Sequence, residues 1–258
     1  MGSVGSLADL QAIVPLFLLV FIRATTIFFF LPIFGANSVP PSIKISFSFL
    51  LAIIVMPLVR AGAPAIPTAW GGYITMMLSE IGTGLIIGFA ASLLFEGANL
   101  AGELIGIQMG FGMAQVFNPA AERQVALIGQ LYFLMASFVF FALNGHHWLV
   151  AAFWRSYRHV PVGSLALSPI IVVRMVEMAQ QIFLVAFILV IPIWGILAMV
   201  DLVLAIISQS MPQLQVLFLG MPIKIGVGLL SIMVSVSLIG DYLRTALGHL
   251  LLMMLKVV

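Results

Sequence analysis

Long runs without any charged side chain constrain this chain most. Three such runs each have about the ~20 residues that a helix needs to cross ~30 Å of hydrocarbon; they cover residues 125–143, 178–200 and 202–223. A membrane barrel would instead alternate apolar and polar residues over ~10-residue segments, a pattern that this sequence does not sustain. With 63% hydrophobic and 7% charged residues, the chain has more apolar surface than a soluble domain can bury. We therefore predict an all-α integral membrane protein.

The hydrophobic blocks follow one another without a linker long enough to separate two soluble domains. We therefore expect a single membrane-embedded domain over residues 1–258. A block from about Trp70 to Met113 is too long for one straight span, so the helix there must bend, break or project beyond the bilayer. The hydrophobic helices are thus predicted to be long and partly broken or kinked.

Small residues recur every fourth position in the segment 98–119. On a helix they form one ridge with almost no side chain, which another backbone can approach closely. We predict a subunit-packing ridge here, made of Ala98, Gly102, Gly106, Gly110 and Ala114.

The same segment carries polar groups at a spacing of seven residues. Glu96 and Glu103 form one such pair, and Gln108 and Gln115 form another. Such groups are costly when they face lipid, so we expect them to face protein or water as a buried polar network.

Bulky apolar residues accompany the glycines at the end of this segment. Flexible and aromatic side chains beside Gly110 and Gly112 are able to form a deformable hydrophobic constriction that excludes water and ions. Ordinary helix packing explains the same residues equally well, and physical reasoning alone leaves both readings open. The bulky members are Met109, Phe111, Met113 and Phe117.

Five ionisable residues lie in strongly apolar surroundings. One reading is a proton or ion relay, and the other is structural ion pairing between helices or subunits. We favour pairing, partly because no second half of the chain repeats the first with matched interrupted helices, as many transporters do. The five residues are Arg23, Glu80, Asp201, Lys224 and Asp241.

The sequence contains no motif that indicates an enzyme, a metal site or a cofactor site. His146 and His147 are adjacent in NGHHWL, so on a helix they point about 100° apart, and an interfacial turn anchored by Trp148 explains them better than a metal site does. Neither a GxSxG nor an HExxH motif occurs, the chain has no cysteine, and no run of Lys and Arg favours nucleic acid. We expect no enzymatic activity, no cofactor and no metal.

Three motifs together resemble the FliR family of flagellar export-gate proteins, which shares a superfamily with the injectisome export-apparatus T subunits. They are AGELIGIQMGFGMAQVFNPA at 101–120, FFALNGHHWLV at 140–150 and SQSMPQLQVLFLGMPIKIGVGL at 208–229. The likeness extends over essentially the whole chain, and NGHHWL favours the flagellar branch.

The resemblance implies a non-enzymatic, pore-forming subunit of the type III export gate in the bacterial inner membrane, within the flagellar basal body and its ring. It implies a closed helical assembly with P-type, Q-type and B-type subunits, through which unfolded flagellar proteins pass. In that family a loop after the GELIG segment plugs the pore. Here the corresponding residues are Gly110, Phe111, Gly112, Met113, Val116, Phe117, Asn118 and Pro119.

Two alternatives remain at this point. The first is an injectisome subunit of the same superfamily. The second is a proton-coupled secondary transporter that uses Glu80, Glu103 or Asp201, which would function as an isolated chain.

Overall fold

The computed structural model of the chain describes residues 7–32, 39–60, 62–64, 66–67, 69–112, 126–164, 169–210 and 216–257. All regular secondary structure in these ranges is helical, which confirms the all-α prediction. The seven helices are α1 (Leu7–Phe30), α2 (Pro41–Arg60), α3 (Trp70–Gln108), α4 (Ala126–Ala142), α5 (Gly145–His159), α6 (Pro169–Ser210) and α7 (Val216–Val257).

Five of these helices are long and apolar enough to cross a membrane: α1, α2, α3, α6 and α7. A sixth span results if α4 and α5, which are separated by two residues, are counted as one bent span. Asn144 between them has a left-handed backbone, with φ 55°. Asparagine tolerates that conformation better than most residues, so the NGHHWL motif does contain a helix break.

The length predictions have a mixed outcome. Helix α3 is one continuous helix of 39 residues, about twice the length that a single span requires, so the long block was correctly recognised. The separate runs 178–200 and 202–223 are not two helices, because α6 continues through Asp201 to Ser210 and α7 begins only at Val216. The run pattern was misleading because a charged residue that finds polar partners does not need to end a helix.

The chain divides into two compact units. The first comprises residues 1–92, 144–177 and 250–258, and the second comprises residues 93–143 and 178–249. The expectation of a single domain stays a prediction.

In the first unit, α1 packs against α2 through aromatic side chains and against α3 through glycines. The Phe17 ring meets the Phe49 ring edge-on at 5.2 Å between centroids, a favoured aromatic geometry. On the α3 side, a Cβ at Gly84 would lie 2.9 Å from the Arg23 carbonyl oxygen, and one at Gly88 would lie 2.7 Å from Phe30 Cβ. The two glycines, four residues apart, thus let α1 and α3 approach closely.

In the second unit, the C-terminal part of α3 packs against α4, α6 and α7. Phe95 is fully buried and contacts the rings of Phe133 and Phe140 on α4. A Cβ at Gly97 would lie 3.0 Å from Val185 Cβ on α6. The end of α3 is therefore held on several sides by its own chain.

Candidate pore segment at the end of helix α3

Helix α3 ends in a Schellman motif at Gly110. The Gly110 N–H donates to the Ile107 carbonyl oxygen at 3.0 Å, and the Phe111 N–H donates to the Gly106 carbonyl oxygen at 3.1 Å. These are the two bonds of that motif, which places a left-handed residue just past the helix. Gly110 has φ 96°, a value that a residue with a Cβ adopts only with strain. The glycine thus fixes where the helix stops and the predicted plug begins.

Three of the predicted plug residues are described. Gly110, Phe111 and Gly112 form a half-buried turn directly after the helix. A Cβ at Gly112 would meet no atom within 4 Å. The remaining plug residues lie outside the described part of the chain: Met113, Val116, Phe117, Asn118 and Pro119. The assignment of a plug stays a prediction.

The small-residue ridge allows a close backbone contact, but with the chain's own α4. Ala98, Gly102 and Gly106 are buried, and a Cβ at Gly102 would collide with the Ile128 carbonyl oxygen and lie 2.6 Å from Gly129 Cα. At Gly102 the ridge therefore serves packing within the chain, where we had predicted packing between subunits.

The ridge prediction is wrong for Gly110. The helix ends two residues earlier, so Gly110 caps α3 and does not continue the helical spacing of four. Sequence spacing alone missed this, because a glycine suits both a packing ridge and a helix C-cap. Ala114 lies outside the described residues.

The predicted polar network is arranged differently from our expectation. Glu103 Oε1 accepts a hydrogen bond from Asn99 Nδ2 at 3.1 Å, and Gln108 Nε2 donates to Asp201 Oδ2 at 3.1 Å. Glu96 is exposed on the single chain, and Gln115 lies outside the described residues. The two bonds thus lead away from the predicted set, to Asn99 and Asp201. Burial of the whole network stays a prediction.

Asp201 is the centre of a polar cluster in the second unit. Lys224 Nζ on α7 lies 2.5 Å from Asp201 Oδ1, while Gln108 at the last turn of α3 bonds the other carboxylate oxygen. We name Gln108, Asp201 and Lys224 the Asp201 cluster. It joins α3, α6 and α7. The Asp201 side chain is 43% exposed and the Lys224 side chain is 20% exposed.

Two apolar contacts lie next to this cluster. A Cβ at Gly228 on α7 would lie 2.7 Å from Met109 Cγ, and one at Gly110 would lie 3.5 Å from Met221 Cγ. Met109 is fully buried. The two residues that directly follow α3 therefore pack on α7 through methionine and glycine, a combination that packs without fixing one shape.

Arg23 is the centre of a second polar cluster, which lies in the first unit. Its Nε and Nη2 donate to the two oxygens of Glu80 at 2.7 and 2.9 Å. Nη1 donates to Ser156 Oγ at 2.9 Å, and both terminal nitrogens donate to the Val160 carbonyl oxygen at 3.1 Å. All five N–H donors of the guanidinium are thereby used.

Glu80 and Tyr157 complete this Arg23 cluster. Glu80 Oε1 also accepts the Gly163 N–H at 2.8 Å, and the Tyr157 ring lies 3.9 Å from the Arg23 Cζ atom, within cation–π range. Arg23 and Glu80 are both fully buried. The structure thus contains the ion pairing that we favoured, for Arg23 with Glu80 and for Asp201 with Lys224; the preference over a relay stays a prediction. The partners were missed because residues 57 positions apart give no local spacing signal.

A comparison with known proteins decides the family. The model of the family described as bacterial export proteins, family 1, matches residues 14–250. The chain belongs to this family. It is 32% identical over 232 residues to the flagellar biosynthetic protein FliR of Bacillus subtilis (strain 168), with 87% of each chain covered. It is also 29% identical to FliR of Buchnera aphidicola subsp. Acyrthosiphon pisum, with 90% of each chain covered.

The resemblance to FliR seen in three motifs is thus confirmed over most of the chain. A third relative, FliR of Escherichia coli (strain K12), is 25% identical over 198 residues, which cover 77% of this chain and 75% of that protein. Family membership and the five apolar helices together make this chain a membrane protein of flagellar export.

Proposed function

We propose that the chain is a structural and pore-forming subunit of the flagellar type III export gate in the bacterial inner membrane, within the basal body and its ring. Family membership carries the export role, since the family model matches residues 14–250. In this proposal the chain assembles with P-type, Q-type and B-type subunits, and unfolded flagellar proteins pass through the assembly. The chain contributes packing and a seal and performs no enzymatic reaction.

The exposed apolar surface of the single chain supports assembly. Large side chains on α6 and α7 are more than half exposed, among them Phe187 at 56% and Val234 at 76%. Lipid or neighbouring subunits must cover such a surface. The proposal assigns part of it to neighbouring gate subunits.

The end of α3 supports the plug. The capped helix end turns the chain at Gly110, so Phe111 and Gly112 do not continue the helix. In the proposed gate, these apolar side chains close the passage and exclude water and ions. The predicted plug comprises Gly110, Phe111, Gly112, Met113, Val116, Phe117, Asn118 and Pro119.

Two measurements test the proposal in sequence. Native mass spectrometry of the tagged chain, co-expressed with the neighbouring P-like and Q-like genes of its own genome, should yield a discrete large complex. A stable lone monomer that transports a substrate would support the secondary transporter instead. Conductance of membranes that contain the complex should then rise when Phe111, Met113 and Phe117 are all replaced by alanine, and an unchanged conductance would remove the plug assignment.

A further inference from the structure

The Asp201 cluster stands at the base of the turn that the proposed function uses. Gln108 is the last residue of α3, and Gly110 follows two residues later. Through Gln108, the Asp201 carboxylate on α6 and the Lys224 ammonium on α7 are tied to this helix end. If the end of α3 moved away from α6, the hydrogen bond from Gln108 to Asp201 would break. The bond is therefore present only while the end of α3 is docked on α6.

The chemistry of the cluster suits a contact that forms and breaks. One carboxylate oxygen serves Lys224 and the other serves Gln108, so the docked state satisfies the aspartate. When the helix end leaves, only the neutral Gln108 amide is lost, and the Asp201 carboxylate keeps its pair with Lys224, so no charge is left without a partner. The apolar contacts beside it, Met109 on Gly228 and Met221 on Gly110, separate without losing a defined fit.

We infer that Gln108, Asp201 and Lys224 are positioning residues for the gate: they hold the end of α3, and with it the turn at residues 110–112, docked on α6 and α7 in the resting state. Passage of polypeptide releases this docking. The inference rests on the proposed function, because it assigns a position to the turn that the proposal makes part of the seal.

The first test measures ion leak through the complete gate in membranes, normalised to the amount of assembled gate. Replacement D201A, or Q108L on the α3 side, removes the hydrogen bond that ties α3 to the cluster. A loss of about 1 kcal/mol shifts a docked and undocked population about fivefold, so leak should rise by a similar factor. The charge-exchanged double variant D201K/K224D restores the ion pair, and the Gln108 amide, which carries an acceptor as well as donors, is able to bond the exchanged ammonium group, so the seal should return. Rescue by exchange is a result that general damage to folding does not give.

Two controls separate the failure of this inference from the failure of the proposed function. F111A alters the proposed seal directly, and E177Q removes an exposed ion pair with Arg174 on the same helix α6. If F111A leaks and the Asp201 variants seal normally, the positioning inference is wrong and the plug proposal stands. If neither F111A nor the Asp201 variants leak in intact gates, the proposed seal is wrong and the inference fails with it. E177Q should leave the seal unchanged.

A second test asks whether the end of α3 moves. The chain has no cysteine, and a Cβ at Gly228 would lie 2.7 Å from Met109 Cγ, so the pair M109C/G228C brings two thiols close together, and loss of free thiol on oxidation verifies the disulfide. When oxidised within the assembled gate, this variant should stay sealed and lose export, and reduction should restore export. Export at the same rate in both redox states would show that the helix end stays docked, which overturns the inference. Single-cysteine variants should show no redox effect.

Discussion

The two polar clusters of this chain use the same chemistry in opposite ways. In the Arg23 cluster, both charged side chains are fully buried and every guanidinium N–H has an acceptor. In the Asp201 cluster, the carboxylate is 43% exposed and the contact to α3 is a single amide hydrogen bond. A buried pair that loses one partner leaves a charge without compensation, whereas loss of the Gln108 amide leaves the pair of Asp201 with Lys224 in place. The first cluster is therefore suited to permanent packing and the second to reversible docking.

The difference extends to what each cluster ties together. The Arg23 cluster fixes α1, α3 and the turn after α5 through Glu80, Ser156 and Val160. The Asp201 cluster secures one helix end, whose nearby packing contacts are made by methionine and glycine. Stability and seal are thus expected to respond to different substitutions.

The largest loss of stability is expected for R23M. It leaves Glu80 buried without a counter-charge, which costs about 3–5 kcal/mol. Thermal unfolding of the purified chain in mild detergent measures the change. The double variant R23M/E80M removes both charges and should recover much of the loss. If R23M unfolded at the same temperature as the exposed-pair variant R174M, the Arg23 cluster would not be a structural centre.

A smaller loss is expected for G102A, which tests the packing of the second unit. The added methyl group meets the Ile128 carbonyl oxygen and the Gly129 backbone, and forced rearrangement of a packed backbone costs about 1–3 kcal/mol. The matched variant G195A lies in a helix where a Cβ meets no atom within 4 Å. It should keep or slightly increase stability. Equal effects of the two replacements would argue against the close approach of α3 and α4.

S156A tests the contribution of a single hydrogen bond within the Arg23 cluster. It removes one acceptor of the guanidinium, and an unsatisfied donor in a buried site costs about 1–3 kcal/mol. The variant S164A is its control, because Ser164 is exposed and its hydroxyl donates to the Pro161 carbonyl oxygen within its own turn. If S156A and S164A had the same unfolding temperature, Nη1 of Arg23 would have found a replacement acceptor.

D201A should change stability least, by about 1 kcal/mol or less, because the Asp201 carboxylate is 43% exposed and a partly exposed pair contributes little. The same variant is the one expected to leak. Measuring both the unfolding temperature and the membrane conductance of each variant therefore distinguishes the roles of the two clusters most clearly. A D201A variant as unstable as R23M would contradict the reversible role of the Asp201 cluster.

Sequence reasoning reached the fold class and the region of the candidate site, but not the contacts. The small residue Gly102 correctly indicated a close backbone approach, yet the partner is α4 of the same chain. The same spacing at Gly84 and Gly88, which pack on α1, was available and was overlooked. Gly110 was assigned to the helix although it ends the helix, because spacing does not distinguish a ridge glycine from a cap glycine.

Apolar content, run length and motifs identify a helical membrane protein of an export family, because they are properties of the chain and need no partner. The contacts of Arg23 with Glu80 and of Asp201 with Lys224 follow only from the fold. An ion pair between helices depends on distances in space. The partners are separated by 57 positions in one pair and by 23 positions in the other, and no local spacing in the sequence predicts contacts over such separations. From the sequence alone, these charged residues were also compatible with a proton or ion relay. Their positions in the fold give them structural partners.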